Sequence, residues 1–327
     1  MSTIAIIGAG SWGTAVAIHL ATQGYAVRLW AHDAQHVSDM HKNRVNQRYL
    51  PDLPFPPTLT PTADLNACVT DCDYVIMAVP SHAFSSVLNQ LKKPSTGLAW
   101  LTKGIDPKTH LLLSQLVLEK WGASYPVAVI SGPSFAREVA QGLPTALVLA
   151  SHDASFLTAL QTFFHHANMR VYLTEDIIGV QLCGAVKNVL AIACGISDGL
   201  NFGSNAKAAL ITRGLAEMSR LGLSLGAHQE TFMGLAGIGD LVLTCTDDQS
   251  RNRRFGLQLG QGIPLLDAEK HIGQVVEGKY NAAQICALAT QHHVDMPICK
   301  QVNALLQGEI NAKEAVQNLM RRPPKGL

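Results

Sequence analysis

Charge is scarce in this sequence. Asp, Glu, Lys and Arg supply 15% of its 327 residues, well below the roughly 25% usual for globular domains, so much of the chain must be interior. The two signs nearly cancel, 25 Lys plus Arg against 24 Asp plus Glu, which excludes a global field that would recruit nucleic acid or an anionic membrane. A disulfide framework is missing too. The seven cysteines are odd in number, scattered and never spaced C-x-x-C, so neither disulfide bridges nor a zinc site is expected. No H-E-x-x-H spacing occurs, and the adjacent pairs His165-His166 and His292-His293 lack ligand spacing, so no metal is assigned. No basic stretch and no cleavage site precede "TIAIIGAG". A first strand in a cytoplasmic, reducing setting is the expectation.

What is present is length and periodicity. The chain is long enough for roughly two domains with sizeable cores. Its first half alternates β-rich runs with helical patterns, which predicts an α/β architecture with a doubly wound, parallel sheet covered on both faces. Strands are expected at 3–7, 26–30, 74–79, 98–101, 127–130 and 146–150, with a helix at about 12–23. The segment "YLPDLPFPPTLTPT" holds five of the fifteen prolines and reads as a rigid loop. Beyond Thr174 the β-branched runs vanish, and apolar residues recur at helical spacing through 177–223, 229–236, 280–293 and 297–318. The chain should therefore divide into residues 1–174 and an all-helical part, 175–327. Thr174, followed by Glu175 and Asp176, is the expected N-cap of the first long helix. The apolar stretch 177–196 is long enough to raise a membrane span, but Lys187, Asn188, Gln181 and two glycines count against insertion. The tail "MRRPPKGL" reads as a loosely held terminus.

Gly8-Ala9-Gly10-Ser11-Trp12-Gly13 has the G-x-G-x-x-G spacing, directly after an expected strand and opening an expected helix. Glycines there permit a tight turn and let backbone approach a diphosphate, while the helix start supplies amide donors and a positive dipole end. In that context the motif points to a dinucleotide. The acidic residue expected about twenty positions on is Asp33, beside His32. A carboxylate there suits the ribose hydroxyls of NAD, whereas His32 and Arg28 could face a 2′-phosphate, so the choice between NAD and NADP stays open. Ligands of open α/β sheets sit beyond the carboxyl ends of the strands. Those ends carry Pro80-Ser81-His82, Lys103-Gly104 and Ser131-Gly132-Pro133-Ser134. Each alone could be an ordinary polar loop residue.

The stretch "GAVKNVLAIACG" places Lys187 in the most apolar part of the chain. On a helix its face is shared by Cys183, Gly184, Leu190 and Ala191, three of them small, which leaves room around the ammonium. A partly desolvated lysine near a second cation such as Lys103 would have the lowered pKa of a general acid/base. Alternatively its stem lies over apolar surface and the ammonium reaches solvent. Further on, "GLAGIGDLVLTCTDDQSRNRRFG" sets Asp240 after a glycine-rich turn, Thr244 one helical turn later, and then Ser250-Arg251-Asn252-Arg253-Arg254. An arginine fork grips phosphate oxygens, with Ser and Asn adding neutral hydrogen bonds. A solvated basic turn is the competing reading.

"GAGSWGTA", "TKGI", "SGPSFAREVA", "GAVKNVLAIACGISDGL", "GLAGIGDLVLTCT", "SRNRRFG" and "VVEG", in this order, together resemble the bacterial NAD(P)-dependent sn-glycerol-3-phosphate dehydrogenases over nearly the whole chain. The resemblance implies a dinucleotide-binding Rossmann domain, 1–174, followed by a helical substrate-binding domain, 175–327, with the site in the cleft between them and commonly a homodimer. It implies NADPH or NADH as cofactor and reversible hydride transfer to dihydroxyacetone phosphate, giving sn-glycerol 3-phosphate for phospholipid synthesis. Position by position, Lys187 matches the family's proton donor and acceptor, Lys103 its second substrate lysine, and Asp240 and Thr244 polar partners in the active site. Gly132 and Ser134 match substrate contacts, and Ser250, Arg251 and Asn252 the grip on glycerol phosphate. Gly8, Gly10, Ser11, Trp12, Gly13, His32, Lys103, Ala136, Arg251, Val275 and Glu277 match cofactor positions. Two other readings keep the architecture: a related β-hydroxyacid or sugar-phosphate dehydrogenase, and a nucleotide-sensing regulator without catalysis.

Overall fold

The computed structural model describes residues 2–322; most of the tail discussed above, 323–327, lies outside them. Two compact units emerge. The first comprises the chain up to Lys103 together with Leu113–Val180, and the second comprises Gly104–Leu112 and the described chain from Gln181 onward. The boundary falls inside the helix Ile177–Gly199.

The first unit is built on an eight-stranded sheet. Among the described residues ten strands occur in chain order: β1 (Thr3–Ile7), β2 (Ala26–Trp30), β3 (Val45–Asn46), β4 (Leu50–Pro54), β5 (Leu59–Thr62), β6 (Tyr74–Met77), β7 (Leu98–Trp100), β8 (Val127–Ser131), β9 (Thr145–Ala150) and β10 (Met169–Thr174). The large sheet runs β10-β9-β8-β7-β6-β1-β2-β5, and β3 pairs with β4 separately. β1 lies between β2 and β6, parallel to both. Its TIAII sequence is almost wholly buried, as a strand covered on both faces must be. The helix Ser11–Thr22 follows, within a residue of its expected bounds.

Three features of the strands depart from the sequence reading. β9 pairs antiparallel with β8, so the sheet is mixed. The proline-rich segment forms β4 and β5, and β5 pairs only with β2 at the sheet's edge, where Pro61 lacks no ladder bond because its other side is open. β10 extends the opposite edge, parallel to β9.

Beyond β10 every regular element among the described residues is helical. The cap of the first long helix is Asp176, not Thr174: the Gly179 amide donates to Asp176 Oδ1 at 2.8 Å, while Thr174 Oγ1 accepts from the Asp176 amide at 3.2 Å. The helix Ile177–Gly199 is long and apolar enough to cross a membrane by length and composition, yet 94% of its apolar window is buried inside the fold. Helix Arg251–Gly260 packs on it backbone to backbone. A Cβ on Gly256 would lie 2.1 Å from the Ile192 carbonyl oxygen, and one on Gly195 2.0 Å from that of Arg253. Only glycines allow so close a crossing.

Candidate active site

At the end of β1 the three motif glycines separate by role. Gly8 sits at φ +122°, and a Cβ there would meet the Ala78 backbone at 2.8 Å; a Cβ on Gly13 would lie 1.9 Å from the Gly8 carbonyl oxygen. These two are required by the fold. Gly10 is different: a Cβ there would meet nothing within 4 Å, and its φ of −75° with ψ of −178° suits any residue. The helix it caps has no acid in its first turn and no side-chain cap. Open space at Gly10 over a helix start fits a diphosphate, so the turn fits a dinucleotide. Asn46 braces this turn. It is fully buried, and its Nδ2 donates to the Ala9 carbonyl at 3.0 Å and to Thr14 Oγ1 at 2.8 Å. Nothing in the sequence marked Asn46, which stands in a two-residue strand far from the motif. Ser11 and Trp12 open the helix half-buried, and the Trp12 indole N–H is buried with no acceptor among the described residues.

The parallel strands β1, β6, β7 and β8 place their carboxyl ends on the same edge as the turn. There the Gly132 carbonyl accepts from Lys103 Nζ at 3.2 Å and from Ser134 Oγ at 3.0 Å. Three expected site residues thus meet at one atom. Gly132 has φ +134°, and its Cβ would press to 3.1 Å of the Ala146 carbonyl oxygen. Ala136 begins the short helix Ala136–Ala140. His32 lies exposed just past β2. Asp33 is engaged as a helix cap, Oδ1 accepting from the amides of Gln35 at 3.0 Å and His36 at 3.2 Å, and the His36 hydrogen bond holds its carboxyl below the ordinary value. Arg28 is turned to the Ala67 and Thr70 carbonyls and takes no part near His32.

In the second unit the buried lysine has a partner. Lys187 is 5% exposed, and its ammonium forms an ion pair with Asp240, itself buried, while donating to Thr244 Oγ1 at 2.9 Å. Thr244 in turn donates to the Asp240 carbonyl at 2.6 Å. The described neighbour is therefore an anion, and the reading in which Lys187 reaches bulk solvent does not hold. A single π turn, Leu235–Gly239, delivers Asp240 to this position. A Cβ on Gly237 would lie 2.2 Å from the Phe232 carbonyl oxygen, so the glycine-rich run is what permits the wide turn, a feature common at functional sites. Beside Thr244, the Cys245 thiol is pushed well up by its hydrogen bond with Cys194 and by burial, and so stays neutral.

Helix Arg251–Gly260 presents the remaining candidates. Ser250 is its N-cap, Oγ accepting from the Arg253 amide at 3.2 Å. Asn252 is largely committed inside the fold: Nδ2 donates to Asn188 Oδ1 at 2.9 Å, and Oδ1 accepts from the Gly278 amide at 2.9 Å. Asn188 completes the chain by donating to the Gly184 carbonyl at 3.2 Å. This relay ties the residue next to Lys187 to the start of helix Glu277–Gln291, a role for Asn188 that sequence reading missed although "AVKN" and "SRN" carry its two ends. Arg251 is half-buried, with Nη1 3.2 Å from Gln274 Oε1. Arg253 is a structural pin, ion-paired with Asp198 and Asp248. Val275 and Glu277 sit half-buried where helix Glu277–Gln291 begins. Among the described residues no cluster of His, Cys, Asp and Glu could hold a metal ion.

Comparison with known proteins gives this arrangement a family. Residues 3–157 match the NAD-dependent glycerol-3-phosphate dehydrogenase N-terminus, and residues 176–317 match the C-terminus of the same family. The chain belongs to the NAD-dependent glycerol-3-phosphate dehydrogenase family. A glycerol-3-phosphate dehydrogenase [NAD(P)+] of Legionella pneumophila is 66% identical over 323 residues, 99% of this chain and 98% of its own length. One from Thioalkalivibrio sulfidiphilus is 54% identical over 98% of each. The crystal structure of glycerol-3-phosphate dehydrogenase from Coxiella burnetii superposes with a TM-score of 0.95 at 52% identity, covering 98% of this chain and 99% of that one. A D-mandelate dehydrogenase, at 16% identity and a TM-score of 0.65, shares the fold alone.

Proposed function

We propose that this chain is an NAD(P)-dependent glycerol-3-phosphate dehydrogenase, reducing dihydroxyacetone phosphate reversibly to sn-glycerol 3-phosphate, the backbone from which glycerophospholipids are made. The observation that carries the mechanism is the buried Lys187, paired with Asp240 and Thr244 on an otherwise apolar helix. Keeping an ammonium dry carries a desolvation cost, and a buried charge paired on an apolar helix supports a functional role for it.

When bound, the nicotinamide supplies the hydride that reduces C2 of the ketone. Gly8, Gly10, Ser11, Trp12 and Gly13 would hold the diphosphate, His32 the ribose end, and Lys103, Ala136, Arg251, Val275 and Glu277 further parts of the dinucleotide. As C2 is reduced, its oxygen gains negative charge, and Lys187 Nζ delivers the proton that neutralises it. Asp240 keeps the ammonium charged and Thr244 fixes its direction, so the proton is aimed before the reaction begins. Lys103, steadied by the Gly132 carbonyl, stabilises the developing alkoxide, and Gly132 and Ser134 border the substrate. Arg251 grips the phosphate at the start of its helix, where the positive end of the helix dipole favours an anion and Ser250 and Asn252 hold the backbone in place. Binding energy from that anionic end positions the ketone.

Division into a dinucleotide-binding part, 1–174, and a substrate-binding part, 175–327, suits the distribution of these residues. All seven cysteines are free thiols, which suits a reducing cytoplasm, and the enzyme works as a homodimer. Oxidation of NADH and NADPH followed spectrophotometrically tests the assignment. Turnover with dihydroxyacetone phosphate, and little with 6-phosphogluconate, is expected; turnover with neither, despite tight cofactor binding, would make the protein a nucleotide sensor.

A further inference from the structure

A dinucleotide-binding sheet meets the adenine ribose just past its second strand, and here that edge carries both signs of charge. Asp33 occupies the place of the acid that holds the ribose hydroxyls of NAD. It is largely engaged elsewhere. Oδ1 accepts from the Gln35 and His36 amides as cap of helix Ala34–Asn43, and Oδ2 lies 3.9 Å from Arg48 Nη1. Arg28, Arg44 and Arg48 stand near this edge in the chain. Arg28 is held by the Ala67 and Thr70 carbonyls, and Arg44 by those of Phe55, Pro56 and Leu59. Of the three, Arg48 is the one turned to Asp33, with its side chain 61% exposed.

Arg48 stands at the tip of the β3–β4 hairpin, in a turn closed by the Tyr49 amide donating to the Asn46 carbonyl at 3.2 Å. Its guanidinium carbon lies 5.4 Å from the centre of the Tyr49 ring, a cation–π distance. That ring in turn packs on His36, with centroids 5.7 Å apart. Asn46 Nδ2 gives its two hydrogens to the Ala9 carbonyl and Thr14 Oγ1, so its Oδ1 accepts from His36 Nε2 at 2.9 Å. One buried asparagine thus fastens the glycine turn, His36 and the Arg48 turn together. The exposed guanidinium is carried on a support anchored at the diphosphate turn.

We propose that Arg48 determines the cofactor: it takes the 2′-phosphate of NADPH, which the chain therefore prefers to NADH. The inference rests on the proposed dehydrogenase function and names the group recognised at the ribose end of that site. The pair between Arg48 and Asp33 is exposed and longer than a hydrogen bond, so it holds the arginine only weakly. A phosphate monoester, with roughly twice the charge of a carboxylate, displaces it. The planar guanidinium then presents two parallel N–H groups to the phosphate oxygens, which a lysine could not do. Asp33 does not oppose this with its full charge, because one oxygen is spent on the positive start of its helix.

Fluorescence titration of the full chain with NADPH and NADH tests the proposal, together with calorimetry on the fragments 2′,5′-ADP and 5′-AMP. The wild type should bind NADPH at least about tenfold more tightly than NADH. Arg48→Gln should raise the dissociation constants of NADPH and 2′,5′-ADP roughly 10- to 100-fold, as loss of hydrogen bonds between charged groups implies. For NADH and 5′-AMP the same variant should shift them less than about twofold. Arg48→Lys, which keeps the charge and loses the fork, should fall between. Asp33→Asn keeps a competent helix cap; it should tighten NADPH and leave NADH as in the wild type. Equal losses for NADPH and NADH in Arg48→Gln would overturn the proposal by making Arg48 a general support of the site. A loss of NADH affinity of about tenfold in Asp33→Asn would overturn it by restoring the acid as the ribose ligand. A wild type that favours NADH would overturn the phosphate role and leave the dehydrogenase standing, whereas one that binds neither nucleotide would overturn both.

Discussion

Gly10 and Gly13 are the same residue type three positions apart, and they answer to different demands. Gly13 is required by the Gly8 carbonyl oxygen at 1.9 Å from its would-be Cβ, whereas Gly10 faces open space. Gly13→Ala should therefore lose at least about 1–3 kcal/mol of stability. Gly10→Ala should unfold like the wild type but bind NADH or NADPH roughly tenfold more weakly, about 1.4 kcal/mol. Urea unfolding and fluorescence titration separate the two, and equal effects on both readouts would refute the distinction. Asp240 is a residue whose removal should be felt twice. Asp240→Ala leaves the Lys187 ammonium buried without a counter-charge, which should cost about 3–5 kcal/mol in urea unfolding and lower kcat in the same protein. At this scale the sequence was informative where a backbone or a desolvated charge demands one residue type, as at the glycine turn and Lys187. It was silent where a common side chain acts through distant partners: Asn46 and Asn188 are ordinary residues in the sequence, and only the fold brings Thr14 or Asn252 to them.

Two helices, Ser11–Thr22 and Gly203–Ser224, carry buried titratable groups of opposite effect. Glu217 accepts from the Ile298 and Cys299 amides at the start of helix Pro297–Leu306, yet burial pushes its carboxyl from 4.5 up to about 7. The folded protein keeps this proton while the unfolded chain loses it, so stability falls as pH rises from 4.5 to about 7. His19 runs the other way. Burial, and then its neighbour His166, lower it from 6.5 to about 4, so the unfolded chain holds the extra proton and stability rises from pH 4 to about 6.5. Each contributes about 3 kcal/mol at 1.36 kcal/mol per pH unit, and in the wild type they oppose each other. Glu217→Gln should leave a stability that climbs between pH 4.5 and 6.5, and His19→Asn one that declines; urea unfolding across that range, with identical profiles for the two variants, would contradict this. Element by element, β1, β2 and the core helices were legible from apolar period alone. β5 was hidden because proline reads as a breaker until an open sheet edge makes it harmless, and β10 because its alternation was short and sat against the start of the helical half. The Thr174 cap was displaced to Asp176 by two residues, both being capable caps and the sequence containing nothing to choose between them.

For the whole molecule, composition and motif order carried most of the functional reading. A chain with so little charge must reserve its buried ions for particular work, and Lys187 with Asp240 is such a pair. The substrate grip was less legible. Ser250 and Asn252 have the right chemistry for phosphate, but the fold spends most of their capacity on a helix cap and on the relay to Asn188 and Gly278, so the proposed grip rests mainly on Arg251. The proton carried by Lys187 is the centre of the proposed chemistry. Lys187→Met keeps the apolar stem and removes only the ammonium. Steady-state oxidation of NADPH with dihydroxyacetone phosphate should then fall about 10²- to 10⁴-fold in kcat, the span of general acid catalysis, while the cofactor dissociation constant stays that of the wild type. Turnover comparable to wild type in this variant would contradict the mechanism.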